Sequence, residues 1–225
     1  MRKPNDANLV LRALIVLGLV AFATYLVAER GLLATALRSD RSYISYVILG
    51  VYTLASAHWL FLAYELGEER RSFSRLETQL REQAPDLSSF KRGLLGDFLR
   101  DWQSKGTERH PDALLTAFGD RLVNRHAFGH FLSDALLKLG LLGTIVGFIL
   151  MLLPVGEITE IDASLMRQLL TAMSSGMAVA LYTTLAGLVT STLLEFQYHI
   201  LDASAADLAT RLTVLTDLQR GRDAS

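Results

Sequence analysis

The chemistry open to this sequence rests on a few hydroxyls set among glycines. Thr144 lies in the run Leu139-Gly140-Leu141-Leu142-Gly143-Thr144-Ile145-Val146-Gly147, and Thr183 and Thr184 lie in Ala180-Leu181-Tyr182-Thr183-Thr184-Leu185-Ala186-Gly187-Leu188. A hydroxyl oxygen can relay a proton or replace part of an ion's hydration shell, but it is a poor station without a titratable group nearby. Neither run holds a carboxylate, so a partner would have to supply one. The competing account is local. Threonines in apolar helices commonly donate back to the carbonyl one turn earlier, which covers Thr183, Thr184, Thr190 and Thr192 taken singly.

The elements that position these residues are two long uncharged segments joined by a short acidic loop. The chain has no charge between Lys138 and Glu157, and none from Ala172 through Leu194. At about 1.5 Å per residue, a helix over either segment crosses roughly 30 Å of hydrocarbon. Stepping about 100° per residue places Gly140, Gly143, Thr144, Gly147 and Met151 on one face of the first helix. Leu142, Ile145, Val146 and Ile149 fall on its other faces. In the second helix Gly176, Ala180, Thr183, Thr184, Gly187 and Ser191 line one side, opposite Leu181, Leu185, Leu188 and Leu193. Lipid does not reward a face of small and polar atoms, so such faces meet another helix or line a polar passage.

Across 225 residues, 51% are hydrophobic and 20% charged. The apolar residues come in blocks, and the mean hydropathy is +0.30, as expected of a chain that spans a membrane. The absence of cysteine excludes disulfide scaffolds and thiolate metal sites. A net charge of −1 argues against nucleic acid as a partner, since phosphate neutralisation needs a basic surplus. The sequence has no P-loop, HExxH, GxSxG or GxGxxG, so an enzyme and a bound cofactor are not expected. His58 is the one titratable residue well inside an apolar segment, and beside Trp59 it also fits an interfacial imidazole.

Taken in order, the chain reads as an all-α membrane protein with four transmembrane helices. Residues 1–66 form an N-terminal two-span hairpin, with spans at about 9–28 and 43–64. A basic tip, an apolar run and Ala-x-Ala at 21–23 also fit a cleaved signal peptide, but an even number of crossings requires a retained span. Residues 67–132 form a helical cytoplasmic segment with apolar stripes at Phe73, Leu76 and Leu80, at Leu94, Leu95, Phe98, Leu99 and Trp102, and at Leu114, Leu115, Phe118 and Leu122. Pro85, Gly106 and Pro111 divide them into short helices. Residues 133–195 form the pore-lining hairpin, with spans at about 134–154 and 172–194. Residues 196–225 form a cytoplasmic C-terminal helix and tail. Leu201, Ala205, Leu208, Leu212 and Leu215 make a heptad seam that either closes a bundle of copies or lies on the chain's own helices. The glycine-lined faces and the seam together lead us to expect self-association.

Basic residues set the orientation. Arg2, Lys3 and Arg12, the group from Arg70 to Arg125, and Arg211, Arg220 and Arg222 would all face the cytoplasm, against Arg30, Arg38, Arg41 and Arg167 on the other side. Both termini are then cytoplasmic, and the loop with Glu157, Glu160 and Asp162 faces out.

The glycine-threonine runs resemble the paired pore-helix motifs of the MotA/TolQ/ExbB proton-channel family. They are closest in wording to the TolQ and ExbB branch, whereas the four-span layout is that of MotA. Specific matching covers about residues 134–195, and the rest agrees in layout. The resemblance implies a bacterial inner-membrane, ion-driven motor subunit: a homopentamer around two copies of a single-span MotB-, TolR- or ExbD-like partner. The partner's aspartate would carry H+, with Na+ as the alternative, beside threonines that Thr144 and Thr184 match, with Thr183 adjacent. Gly140, Gly143, Gly147, Gly176, Ala180, Gly187 and Ser191 would pack the pore helices. The chain departs from the ExbB pattern in having Val179 where a glutamate is common, and it shows no counterpart of the charged helix with which MotA engages a flagellar rotor. The rival from another class is a non-conducting four-helix membrane scaffold or assembly protein, whose small-residue faces merely pack.

Overall fold

Helix is the only regular structure among the described residues, which in this computed structural model are 8–40, 42–81, 111–157 and 163–223. The helices are α1 (Asn8–Glu29), α2 (Leu32–Ser39), α3 (Ile44–Arg81), α4 (Pro111–Leu152) and α5 (Ala163–Asp223), with a 3-10 turn at Leu153–Glu157 after α4. Four stretches are long and apolar enough to cross a membrane: Leu9–Glu29, Ile44–Arg75, Gly119–Val155 and Leu165–Val214. The expected spans fall inside these stretches, except that the second was expected to begin at 43, one residue before Ile44.

Local sequence explains most helix ends. Gly31 adopts φ +71°, a left-handed conformation that glycine takes without a Cβ penalty, and its N–H donates to Ala28 O at 3.0 Å to close α1. Asp40 starts α3: one carboxylate oxygen accepts from Ser42 N at 2.8 Å and the other from Ser45 N at 2.7 Å. Burial of Asp40 alone would raise its pKa, but the hydrogen bonds from Ser42 and Ser45 outweigh that and hold the carboxyl below its ordinary value. Pro111 opens α4, where its missing N–H costs nothing. Pro154 and Gly156 lie in the tight turn that follows.

Two expectations about helix division change. The stripe at Phe73 belongs to α3 and the one beginning at Leu114 to α4, so both continue membrane helices where short separate ones were expected. The fourth span and the C-terminal helix are likewise one 61-residue helix, about 90 Å long at 1.5 Å per residue. Boundaries at 66, 132 and 195 therefore fall within continuous helices. The physical reason is plain from 44 to 81 and from 163 to 223, where no proline interrupts the backbone hydrogen bonds. The stripe from Leu94 to Trp102, the residues Arg2, Lys3, Arg41 and Lys105, and the loop residues Glu160 and Asp162 lie outside the described residues. The short helix α2 was not expected from the sequence.

The chain forms two compact units. One comprises Val16–His58 and Gly129–Gln197 and holds the glycine-threonine runs. Its buried residues include Ile48, Ala55, Leu136, Val179 and Leu194. The other comprises Met1–Ile15, Trp59–Phe128 and Tyr198–Ser225. Within it Trp59, Phe73 and Tyr198 are fully buried, and a Cβ on Gly67 would meet Val10 at 2.8 Å. Leu201, Ala205, Leu208 and Leu212 are buried as well, so the heptad seam lies on the chain's own helices. Around it Arg70 pairs with Asp207 at 2.7 Å, and Arg211 pairs with Glu77 at 2.9 Å while its guanidinium lies 5.3 Å from the Phe73 ring centroid. His126, almost fully buried, meets Asp202 at 2.7 Å.

Candidate functional site

The two glycine-threonine runs meet face to face within one chain. A Cβ on Gly140 would lie 3.0 Å from Gly187 Cα, and one on Gly187 would lie 2.7 Å from Gly140 Cα. A Cβ on Gly147 would lie 2.6 Å from Ala180 N, and one on Gly176 would lie 2.6 Å from Gly147 O. At such approaches the neighbouring atoms are backbone, which cannot swing aside, so only glycine fits. The antiparallel register pairs 140 with 187, 143 with 183, and 147 with 180 and 176. The small faces of α4 and α5 are consequently occupied by each other. The rest of the helix surfaces is left uncovered, with Leu141, Ile145, Phe148, Leu181, Leu185 and Leu188 exposed.

The three threonines on these runs divide into two environments. Thr183 is fully buried; its side chain fills the space over Gly143, and its hydroxyl donates back to Val179 O at 2.8 Å. That is the geometry of a packing residue, although it stands beside Thr184 in sequence. Thr184 is half-buried and reaches across the groove, its Oγ1 donating to Gly140 O at 3.3 Å. Thr144 is half-buried one turn beyond Gly140 on α4, with its hydroxyl on Leu141 O at 2.6 Å. Both residues thus remain partly exposed, at the middle of the expected spans.

Other polar residues join these helices and were not anticipated as bridges. Ser133 donates to Ser191 O at 2.9 Å, with the two hydroxyl oxygens 3.3 Å apart, so Ser191 belongs to a bridge between α4 and α5. Ser56 on α3 donates to Gln197 Oε1 on α5 at 3.2 Å. Residues 141 positions apart carry no local pattern that would reveal such a pair. The hydrogen bonds of Thr190 and Thr192 are of the back-bonding kind, to Ala186 O at 2.7 Å and Leu188 O at 2.8 Å.

No cluster of His, Cys, Asp or Glu able to hold a metal occurs among the described residues. The site offers hydroxyls, backbone carbonyls and a close-packed apolar wall, with no acid or base facing Thr144 or Thr184 among the polar contacts described above. Comparison with known proteins finds that residues 104–213 match the model of the MotA/TolQ/ExbB proton channel family. No curated protein and no solved structure matches the chain.

Proposed function

From its place in the MotA/TolQ/ExbB proton channel family, which α4 and the membrane part of α5 carry, we propose that this protein is a subunit of an ion-driven motor of the bacterial inner membrane. The single observation that carries the reading is the placement of Thr144 and Thr184. Each is a half-buried hydroxyl at the rim of a glycine groove, within a region that matches the family. Ion flow past them drives mechanical work. The ion is H+ in preference to Na+, and it travels on an aspartate supplied by a single-span MotB-, TolR- or ExbD-like partner, present in two copies inside a ring of five subunits. Thr144 and Thr184 flank that aspartate. Thr183 sets the spacing of α4 and α5, a role its burial over Gly143 supports better than a place on the path.

Basic residues concentrate in 70–125 and at both ends, and this supports cytoplasmic termini with the turn at Leu153–Glu157 facing out. The substrate is an ion, and no step of covalent chemistry is assigned to the chain.

The test is the double substitution Thr144→Val and Thr184→Val, which deletes both hydroxyls and keeps the branched shape. The variant should retain its oligomer mass and co-purify with its partner but lose ion-driven activity in the native host. Full activity with an unchanged oligomer would remove these residues from the path.

A further inference from the structure

A buried polar cluster between α3 and α5, away from the glycine groove, has no role in the path described above. Gln197 is fully buried and Ser56 nearly so, and they meet at 3.2 Å between α5 and α3. The buried Tyr52 hydroxyl lies beside both, one turn along α3 from Ser56. Shut away from water, a carboxamide and hydroxyls are costly to bury unless they bond one another, as Ser56 and Gln197 do, and that bond ties α3 to α5. All three residues belong to the same compact unit as Thr144 and Thr184.

We propose that Gln197 is a positioning residue for the ion path: held by Ser56, it fixes the setting of α5 against α3 and so the position of Thr184 over Gly140. The inference rests on reading Thr144 and Thr184 as the path. Its lever is the helix itself. Thr184 lies 13 residues before Gln197 on the unbroken α5, about 20 Å at 1.5 Å per residue. A rotation or slip permitted at Gln197 is carried along that rigid element. At Thr184 the hydrogen bond to Gly140 O is already 3.3 Å long, so a small shift breaks it. On the glycine side Thr183 over Gly143 and the Ser133–Ser191 bridge resist sliding, and the anchorage on α3 adds to that resistance from the opposite helix.

Because the chain has no cysteine, a single introduced thiol reports its own surroundings. Thr184→Cys is placed in the full-length protein in membrane vesicles, and its modification by N-ethylmaleimide is timed with and without Gln197→Leu. Freeing α5 should raise the rate about three- to fifteenfold, the range that interhelical hydrogen bonds in bilayers span. Ser56→Ala should raise it in the same direction, and the exchange Ser56→Gln with Gln197→Ser should restore it. Leu188→Cys, already 52% exposed, should react at an unchanged rate throughout. An unchanged rate at position 184 in proteins of normal oligomer mass would overturn the proposal. So would an equal rise at Leu188→Cys, which reports general loosening. If Gln197→Leu fails to insert, the milder Ser56→Ala decides. The readout needs no ion flux, so failure of the motor reading leaves it interpretable.

Discussion

Adding one carbon at Gly147 is the most direct probe of the groove. An alanine Cβ there would lie 2.6 Å from Ala180 N and 2.7 Å from Gly176 O, both backbone atoms. Ordinary contact begins near 3.4 Å, so α4 and α5 must part by about 0.8 Å at this level. Such overpacking costs about 1 to 3 kcal/mol. Alanine also improves helix propensity, by about 0.5 to 1 kcal/mol, and that gain partly masks the loss. Gly50 on α3 provides the control, because a Cβ there meets nothing within 4 Å. Gly50→Ala gains the propensity without the clash, so the difference between the two variants isolates the packing cost. For a chain of this size that difference corresponds to roughly 2 to 12 °C in the thermal midpoint, measured in detergent with both proteins side by side. The same parting would strain the 3.3 Å bond from Thr184 to Gly140 O, two turns away, so ion-driven activity should fall with stability. If Gly147→Ala is as stable as Gly50→Ala, the two helices do not approach as described and the argument for the groove fails.

Thr183→Val should keep stability within about 1 kcal/mol and leave activity intact, because the residue is fully buried and its hydroxyl bonds back along its own helix. Thr184→Val alone should preserve oligomer mass yet lower activity, and identical behaviour of the two variants would refute the division between packing and path. Asp40→Ala should destabilise the start of α3 by about 1 kcal/mol, read by hydrogen exchange of the first turn. Since the folded state lowers the Asp40 pKa, its stabilisation is fully present above the unfolded value near 3.9 and is lost as pH falls through the lower folded value. The cap should thus hold at pH 5 and weaken below about pH 4, whereas Asp40→Asn should show no such step. Reporters fused after Glu157 and after Lys105 should behave as periplasmic and cytoplasmic respectively, and the reverse result would invert the topology.

What the sequence determined by itself was whatever depends on local composition and period. Uninterrupted apolar runs require membrane-spanning helices wherever they occur, and glycines spaced three and four apart must share a helix face. Those two facts placed the four spans, the small-residue faces and Thr144 and Thr184 at the middle of theirs. The Asp40-x-Ser42 start of α3 was equally legible in principle, since the capping residues lie within five positions of one another. Tertiary structure alone decided which face meets which. A small face fits an identical neighbour in another copy as well as its own partner helix, and periodicity cannot separate these cases. Only the contacts show Gly140 against Gly187 within one chain and the heptad seam buried on its own helices. The same holds for adjacent Thr183 and Thr184. They lie about 100° apart on the helix, which is enough to send one hydroxyl inward to Val179 O and the other across the groove to Gly140 O. Ser56 and Gln197 are the extreme case, because a hydrogen bond spanning 141 positions leaves no local signature and exists only once α3 and α5 are side by side.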